Sequence, residues 1–322
     1  MTERRSSWTS VAVAVCALGL AAAAGGASAQ AELGGVCDSA SAPLECRLAA
    51  ASAQVIQPRV ALALWGGNPV PGTASTVGLR LASTPRIAAS AGLLVVPTTL
   101  PPLLDRPATG SRTGLVTGLT LQSSVGLAHG LSPVPTVGGL LSVDVIGRLS
   151  VARLPTSKGF DDGSVWGLAA GLRLGILRES LTLPGLSLTA SYGRSGTVTY
   201  GDPSLATTQG LMRGAVSRLS ATAAASRNLF GLRLAGGVSW DRHASDVTLH
   251  WDGALPGPEG NVGARAVMNR WSGFGSISWS RLIYHAALEA GVQETPTLDT
   301  LPAGVGLDPI GWWLGLSVRV TP

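Results

Sequence analysis

Lysine is almost absent from this 322-residue chain: Lys158 stands alone among 23 basic residues, and charged residues make up only 13%. A Walker loop needs Gly-Lys-Ser/Thr, and the lone lysine sits between Ser157 and Gly159, which excludes that motif. Histidines number four, with no His-Glu-x-x-His pair and no Gly-x-Ser-x-Gly elbow, so two common hydrolase signatures are missing. Beyond the N-terminal thirty residues no run of eighteen apolar residues occurs, so no helix of the mature chain is long enough to cross a bilayer. The net charge is +5, but the arginines are scattered along the chain rather than clustered with aromatics, which argues against nucleic-acid binding. Three cysteines are too few for a disulfide-rich scaffold.

What is present begins with an export signal. Arg4 and Arg5 precede an apolar stretch, Val11 to Ala24, and Ala27-Ser28-Ala29 offers a small-residue cleavage site before Gln30. Residues 1–29 are therefore expected to be a signal peptide that carries Cys16 away. The remaining pair, Cys37 and Cys46, is expected to close one disulfide in an oxidising compartment, contributing on the order of 2–3 kcal/mol. A metal pair is the weaker alternative, because no histidine or further cysteine lies nearby. Residues 30–58 form a separate N-terminal periplasmic segment on this reading, with one short helix over Cys37 to Val55 lying in or under the main body of the protein.

From Arg59 to Val320 apolar and polar residues alternate, with turn signals at a regular interval. Leu186, Leu188, Ala190 and Tyr192 fall on one face, and Ser187, Thr189, Ser191 and Gly193 on the other. Period-two alternation in segments this long is the mark of strands with lipid on one side and a polar lumen on the other. Abundant glycine, 43 residues, and a mean hydropathy of +0.33 fit the same picture. Short turns near residues 83–85, 132–134, 183–185, 228–230 and 280–282 alternate with longer loops at 66–73, 97–113, 154–164, 201–211, 252–264 and 296–310. That grammar predicts an all-β, antiparallel, up-and-down transmembrane barrel over 59–322. It has about twelve strands, beginning with 59–66 and 73–84, and ten is the alternative count. The tetrad Gly-Leu-Arg-Leu recurs at Gly78, Gly171 and Gly231, each time placing arginine inward between two outward leucines.

The alternation and the closing run Gly311-Trp312-Trp313-Leu314-Gly315-Leu316-Ser317-Val318-Arg319-Val320 resemble the bacterial outer-membrane β-barrel proteins. The resemblance covers most of the mature chain and implies the bacterial outer membrane as location, with its lipid and the barrel-assembly machinery as partners. Such proteins usually end the last strand in an aromatic residue, whereas this chain ends Val320-Thr321-Pro322.

An inward polar row is assigned to Arg80, Asp144, Arg148, Arg173, Arg218, Arg233, Arg270, Glu289 and Arg319. It either fills the interior with hydrogen-bonded pairs or lines a narrow, anion-leaning channel for small solutes. Trp240, Trp251, Trp271, Trp279 and Trp312 are placed near strand ends as a membrane-interface girdle. The cluster Asp241-Arg242-His243-Ala244-Ser245-Asp246 is the richest in catalytic residue types, but lumen lining is the favoured reading, and no enzyme, metal or cofactor is expected. Gly159-Phe160-Asp161-Asp162-Gly163 has too few oxygen ligands for a calcium loop. Two other functions stay open: a barrel hydrolase, needing His243 or His285 to meet a serine and a carboxylate, and a secreted soluble β-sandwich or adhesin-like protein.

Overall fold

The computed structural model describes residues 43–77, 86–100, 112–132, 140–180, 183–201, 211–229, 231–251, 260–295 and 310–321. Ten antiparallel strands close into one barrel: β1 (Ile87–Leu100), β2 (Arg112–Ala128), β3 (Ser142–Arg153), β4 (Ser164–Leu177), β5 (Gly185–Tyr200), β6 (Leu211–Leu229), β7 (Leu232–Trp251), β8 (Gly260–Arg281), β9 (Tyr284–Glu294) and β10 (Ile310–Val320). Each strand pairs with its sequence neighbours, and β1 meets β10 from Ala89↔Val320 to Val95↔Leu314. Closure leaves no unpaired edge, the condition for a sheet to sit in hydrocarbon. It also rules out the β-sandwich reading.

An even strand count puts both ends of the barrel at one rim. That rim also carries the tightest turns, 230–231 and 282–283, and the seven-residue connection 178–184; the 129–141 connection is its longest. The opposite rim carries 101–111, 154–163, 201–210, 252–259 and 295–309. By the usual asymmetry of these barrels, short turns face the periplasm and long loops the exterior.

The outer surface is apolar over a belt. Leu119, Leu149, Leu172, Leu188, Leu234, Leu288 and Leu316 all point outward and are about half exposed on the isolated chain. Trp279 lies at the lower edge of the belt, two residues from the end of β8. Trp240 and Trp271 face each other across β7 and β8, and Trp312 lies near the top of β10. Trp240 and Trp271 therefore sit mid-strand, not at strand ends as expected. The reason is that β7 and β8 run to 20 and 22 residues, well beyond the roughly 9–11 needed to span. Eight residues separate Leu232 from Trp240, a rise of about 20 Å once strand tilt is allowed for, close to the height of an apolar belt. Above Trp240 the outward positions of β6–β8 become Arg213, Arg242, Asp246, Thr248 and Arg265, all exposed. The three longest strands thus continue past the membrane as a wall wet on its outside.

The first expected strand, 59–66, is not a strand, and neither is the described start, 73–77, of the second. Residues Pro43–Trp65 form one helix, α1, which runs across the boundary expected at residue 58 and ends inside the barrel. Val60-Ala61-Leu62-Ala63-Leu64-Trp65 is buried on every side. A segment buried all round shows neither helical nor strand periodicity, so its alternating large and small residues imitated a strand. Residues 66–77 follow as irregular chain, and the remainder of the expected second strand, 78–85, lies outside the described residues. Ten strands result, the lower of the two counts. The signal segment 1–29, Cys37, Arg80 and the side chains of Cys46 and Trp251 also lie outside the described residues.

The occupied lumen as candidate functional site

The inner face changes character along the barrel axis. Toward the long-loop rim it is apolar: Val96, Leu100, Val116, Leu154, Val165, Met212, Val216, Val247, Met268 and Trp313 form one core with Ile56, Val60, Leu62 and Leu64 of α1. Phe160 and Tyr200 pack edge to face at 5.1 Å in the same cluster. Small residues on the wall admit the helix. A Cβ on Gly118 would collide with the backbone carbonyl of Ala63, and Cβ atoms on Gly167 and Gly193 would press on the Trp65 ring at 2.7 and 2.9 Å.

The helix points its N-terminal end toward the long loops. Arg59 donates to Thr295, beyond the upper end of β9, at 2.6 Å, and Gln57 accepts from Ser245 high on β7. Six residues later Trp65 lies at mid-height, where Arg218 donates to its carbonyl at 2.6 Å. Gly66 N closes on Leu62 O at 2.6 Å, and Thr120 donates to Leu64 O at 3.4 Å. The carbonyls of Leu62, Leu64 and Trp65 are thereby satisfied, and a guanidinium stands at the negative end of the helix dipole. The expected periplasmic segment of 30–58 is corrected here: its described part lies in the lumen and leads toward the long-loop rim.

Below the helix, residues 66–77 descend to the short-turn rim without regular structure, so the wall must satisfy their backbone groups. Asn68 N donates to Glu289 Oε1 at 2.8 Å, Ala74 N to Ser226 Oγ at 2.9 Å and Val77 N to Asp144 Oδ2 at 2.7 Å. Arg173 donates to Thr73 O at 2.8 Å, Ser278 to Gly72 O at 3.0 Å, and Gln122 to Pro69 O. Thr76 and Ser142 hydroxyls meet at 2.6 Å.

All eight described members of the expected inward row face the lumen. Asp144, Arg173, Arg218 and Glu289 bond the threaded segment directly. Arg218 also pairs with Asp241 at 2.7 Å, both buried. Arg148 donates twice to Gln122, at 2.8 and 3.0 Å, and Arg270 donates to Asn269 O at 3.1 Å. Arg233 pairs with Glu179 at 2.9 Å at the short-turn mouth, where Arg319 also lies. Ser142, Ser226, Ser278 and Gln122 were not singled out from the sequence, although register parity alone puts them on the same face.

Asp241, His243 and Ser245 share the inward face of β7 but do not bond one another. Asp241 is held by Arg218 and Ser245 by Gln57; neither ring nitrogen of His243 has a hydrogen-bond partner among the described residues. His285 does meet Ser280, at 2.7 Å, yet the charged groups that act on it are Arg319 and Arg233, and no carboxylate among the described residues bonds it. Two cavities beside the threaded segment hold about 40 and 20 Å³, room for a few waters at most.

No protein-family profile matches the chain, and no curated protein sequence matches it. Solved structures with a similar arrangement include the translocator domain of the autotransporter NalP from Neisseria meningitidis, 14% identical over 75% of this chain and 90% of that one, TM-score 0.41. The outer membrane protease OmpT from Escherichia coli is 9% identical over 74% and 96%, TM-score 0.37. A major outer membrane protein from Thermus thermophilus is 14% identical over 74% and 99%, TM-score 0.30. The closed barrel, its apolar belt and its unequal rims are those of a bacterial outer-membrane β-barrel protein.

Proposed function

We propose that this protein is a self-threaded outer-membrane barrel: its own chain closes the lumen and delivers the residues that precede Pro43 to the long-loop face. One observation carries the reading. Residues 50–77 pass from near one rim to the other, and the wall is built to hold them, apolar around the helix and hydrogen-bonding around the irregular segment. The inward arginines then serve as partners for a threaded backbone, and no open channel for small anions is required. An anion-leaning pore would need α1 expelled from an apolar core. Catalysis is assigned neither to the Asp241–His243–Ser245 row nor to the Ser280–His285 pair, for want of a joined triad.

An epitope inserted between Gln30 and Cys37 should bind antibody on intact cells, and the purified protein in a planar bilayer should conduct negligibly. An epitope reached only after the outer membrane is permeabilised would overturn the threading. Steady anion-selective conductance from the folded protein would restore the channel.

A further inference from the structure

We propose that the short-turn mouth of the lumen is a binding site for a compact, multiply charged oxyanion. A cavity of about 790 Å³ opens there beneath the threaded segment. Arg86, Arg178, Arg227, Arg233 and Arg319 line it, brought together from the start of β1, the β4–β5 connection, the β6–β7 hairpin and the end of β10. Arg227 pairs with Leu234 on the outward parity of its strand and reaches only the edge, so among the described lining residues one carboxylate, Glu179, shares the mouth with four guanidinium groups. It is already engaged by Arg233 at 2.9 Å and by Ser226 Oγ at 3.2 Å.

The contrast with the arginines higher in the lumen points to a ligand. Arg148, Arg173 and Arg218 each donate to a wall or backbone oxygen. The Nε atoms of Arg86 and Arg319 are buried without a hydrogen-bond partner among the described residues, Arg319 is only 7% exposed, and Arg178 is half-buried beside them. A guanidinium withdrawn from water without a counter-charge is unfavourable, and an oxyanion supplies both the charge and the paired lone-pair oxygens that its fork accepts. The excess of arginine over carboxylate favours a ligand with several negative charges over a monovalent one.

Position narrows the ligand further. The cavity lies under the threaded segment among the strand ends and connections of this rim, with Arg233, Arg319 and Thr76 on its inner side, so it suits a soluble anion. The helix shuts the long-loop end, which leaves the short-turn side, periplasmic in barrels of this kind, as the route in.

Titration calorimetry on the full chain folded in detergent tests this, with tripolyphosphate, citrate and acetate as probes. Tripolyphosphate and citrate are expected to bind saturably, the more highly charged tripolyphosphate more tightly, and acetate not measurably. Arg178→Gln combined with Arg319→Gln should weaken tripolyphosphate binding about tenfold or more, the scale of lost charge-assisted bonds. Arg213→Gln, exposed on the outer wall at the opposite end, should leave it unchanged, with folding checked by heat-modifiable migration on a gel. If the double variant fails to fold, Arg178→Gln alone should still weaken binding by about threefold. No saturable binding by the folded wild-type protein, equal weakening by Arg213→Gln, or acetate binding as tightly as citrate would each overturn the site. None of these results depends on conductance or on epitope exposure, so the threading stands or falls separately.

Discussion

Above and below the tryptophan level, the same strands obey different rules. Below Trp240, β6–β8 turn apolar residues outward to lipid and Thr222, Ser226, Ser239, Ser276 and Ser278 inward. Above it, Arg213, Arg242, Asp246 and Arg265 face out, while Arg218, Asp241, His243, Ser245 and Arg270 face in together with Met212, Val216, Val247 and Met268. Backbone pairing continues unbroken through the change, from Leu232↔Trp279 to Trp251↔Gly260. What changes is the surroundings: the lower outside is hydrocarbon, and the upper outside is water. The alternation keeps its period while the outer face turns from apolar to polar, and the inner face adds an apolar cluster packed round the helix to its buried polar groups.

The two halves of the lumen should answer differently to loss of charge, and here the largest effects are expected. Arg218→Met strips a buried carboxylate, Asp241, of its partner and uncaps α1, and should destabilise by roughly 3–5 kcal/mol. Arg319→Met removes a guanidinium whose Nε is buried without a hydrogen-bond partner among the described residues, and should change stability by less than about 0.5 kcal/mol or raise it. Urea unfolding of both variants from lipid vesicles measures the difference. Equal losses would mean that the lower mouth is as tightly paired as the upper bore.

Close approach gives a second, smaller contrast. At Gly118 the obstacle to a Cβ is the Ala63 carbonyl, fixed backbone inside a helix. At Gly185, near the short-turn rim, the nearest atoms are the Ser75 and Ser226 hydroxyls at 2.7 and 3.0 Å, which can rotate away. Gly118→Ala should therefore cost about 1–3 kcal/mol, and Gly185→Ala less than about 1. Heat-modifiable migration across a temperature series ranks them. A Gly118→Ala midpoint indistinguishable from that of Gly185→Ala would show that α1 sits loosely in the upper bore.

These contrasts also explain what could be read from the chain. Where lipid lies outside and polar groups inside, period two is strong, and Leu186 to Tyr192 or Trp312 to Val318 gave the faces directly. The rims were legible because tight turns and long loops differ in composition. The helix was not legible, because Val60 to Trp65 is buried on all sides and carries no periodic signal. Residues 73–77, expected to begin a strand, misled for a related reason: their partners are side chains on distant strands, such as Ser226 and Asp144, which no local pattern announces. The sites followed the same division. The inward arginines could be found by parity, but which of them are consumed by the threaded backbone depends on contacts some 100 to 200 residues away in sequence.

The smallest expected effect sharpens the electrostatic half of the contrast. Asn228 lines the short-turn mouth beside Arg227, and its Oδ1 accepts from Gly231 N at 3.2 Å in the β6–β7 turn. Asn228→Asp keeps an acceptor at that position and adds a negative charge where, among the described lining residues, Arg86, Arg178, Arg233 and Arg319 face one glutamate. The turn survives, and attraction to the surplus positive charge should stabilise the barrel by less than about 1 kcal/mol, since the site is exposed and screened. The gain should shrink as salt is raised, because the Debye length falls from about 10 Å at 0.1 M to about 3 Å at 1 M. Urea midpoints at the two salt concentrations give the result. A destabilisation that persists in high salt would place the effect in turn geometry, and the excess positive potential assigned to this mouth would have to be withdrawn.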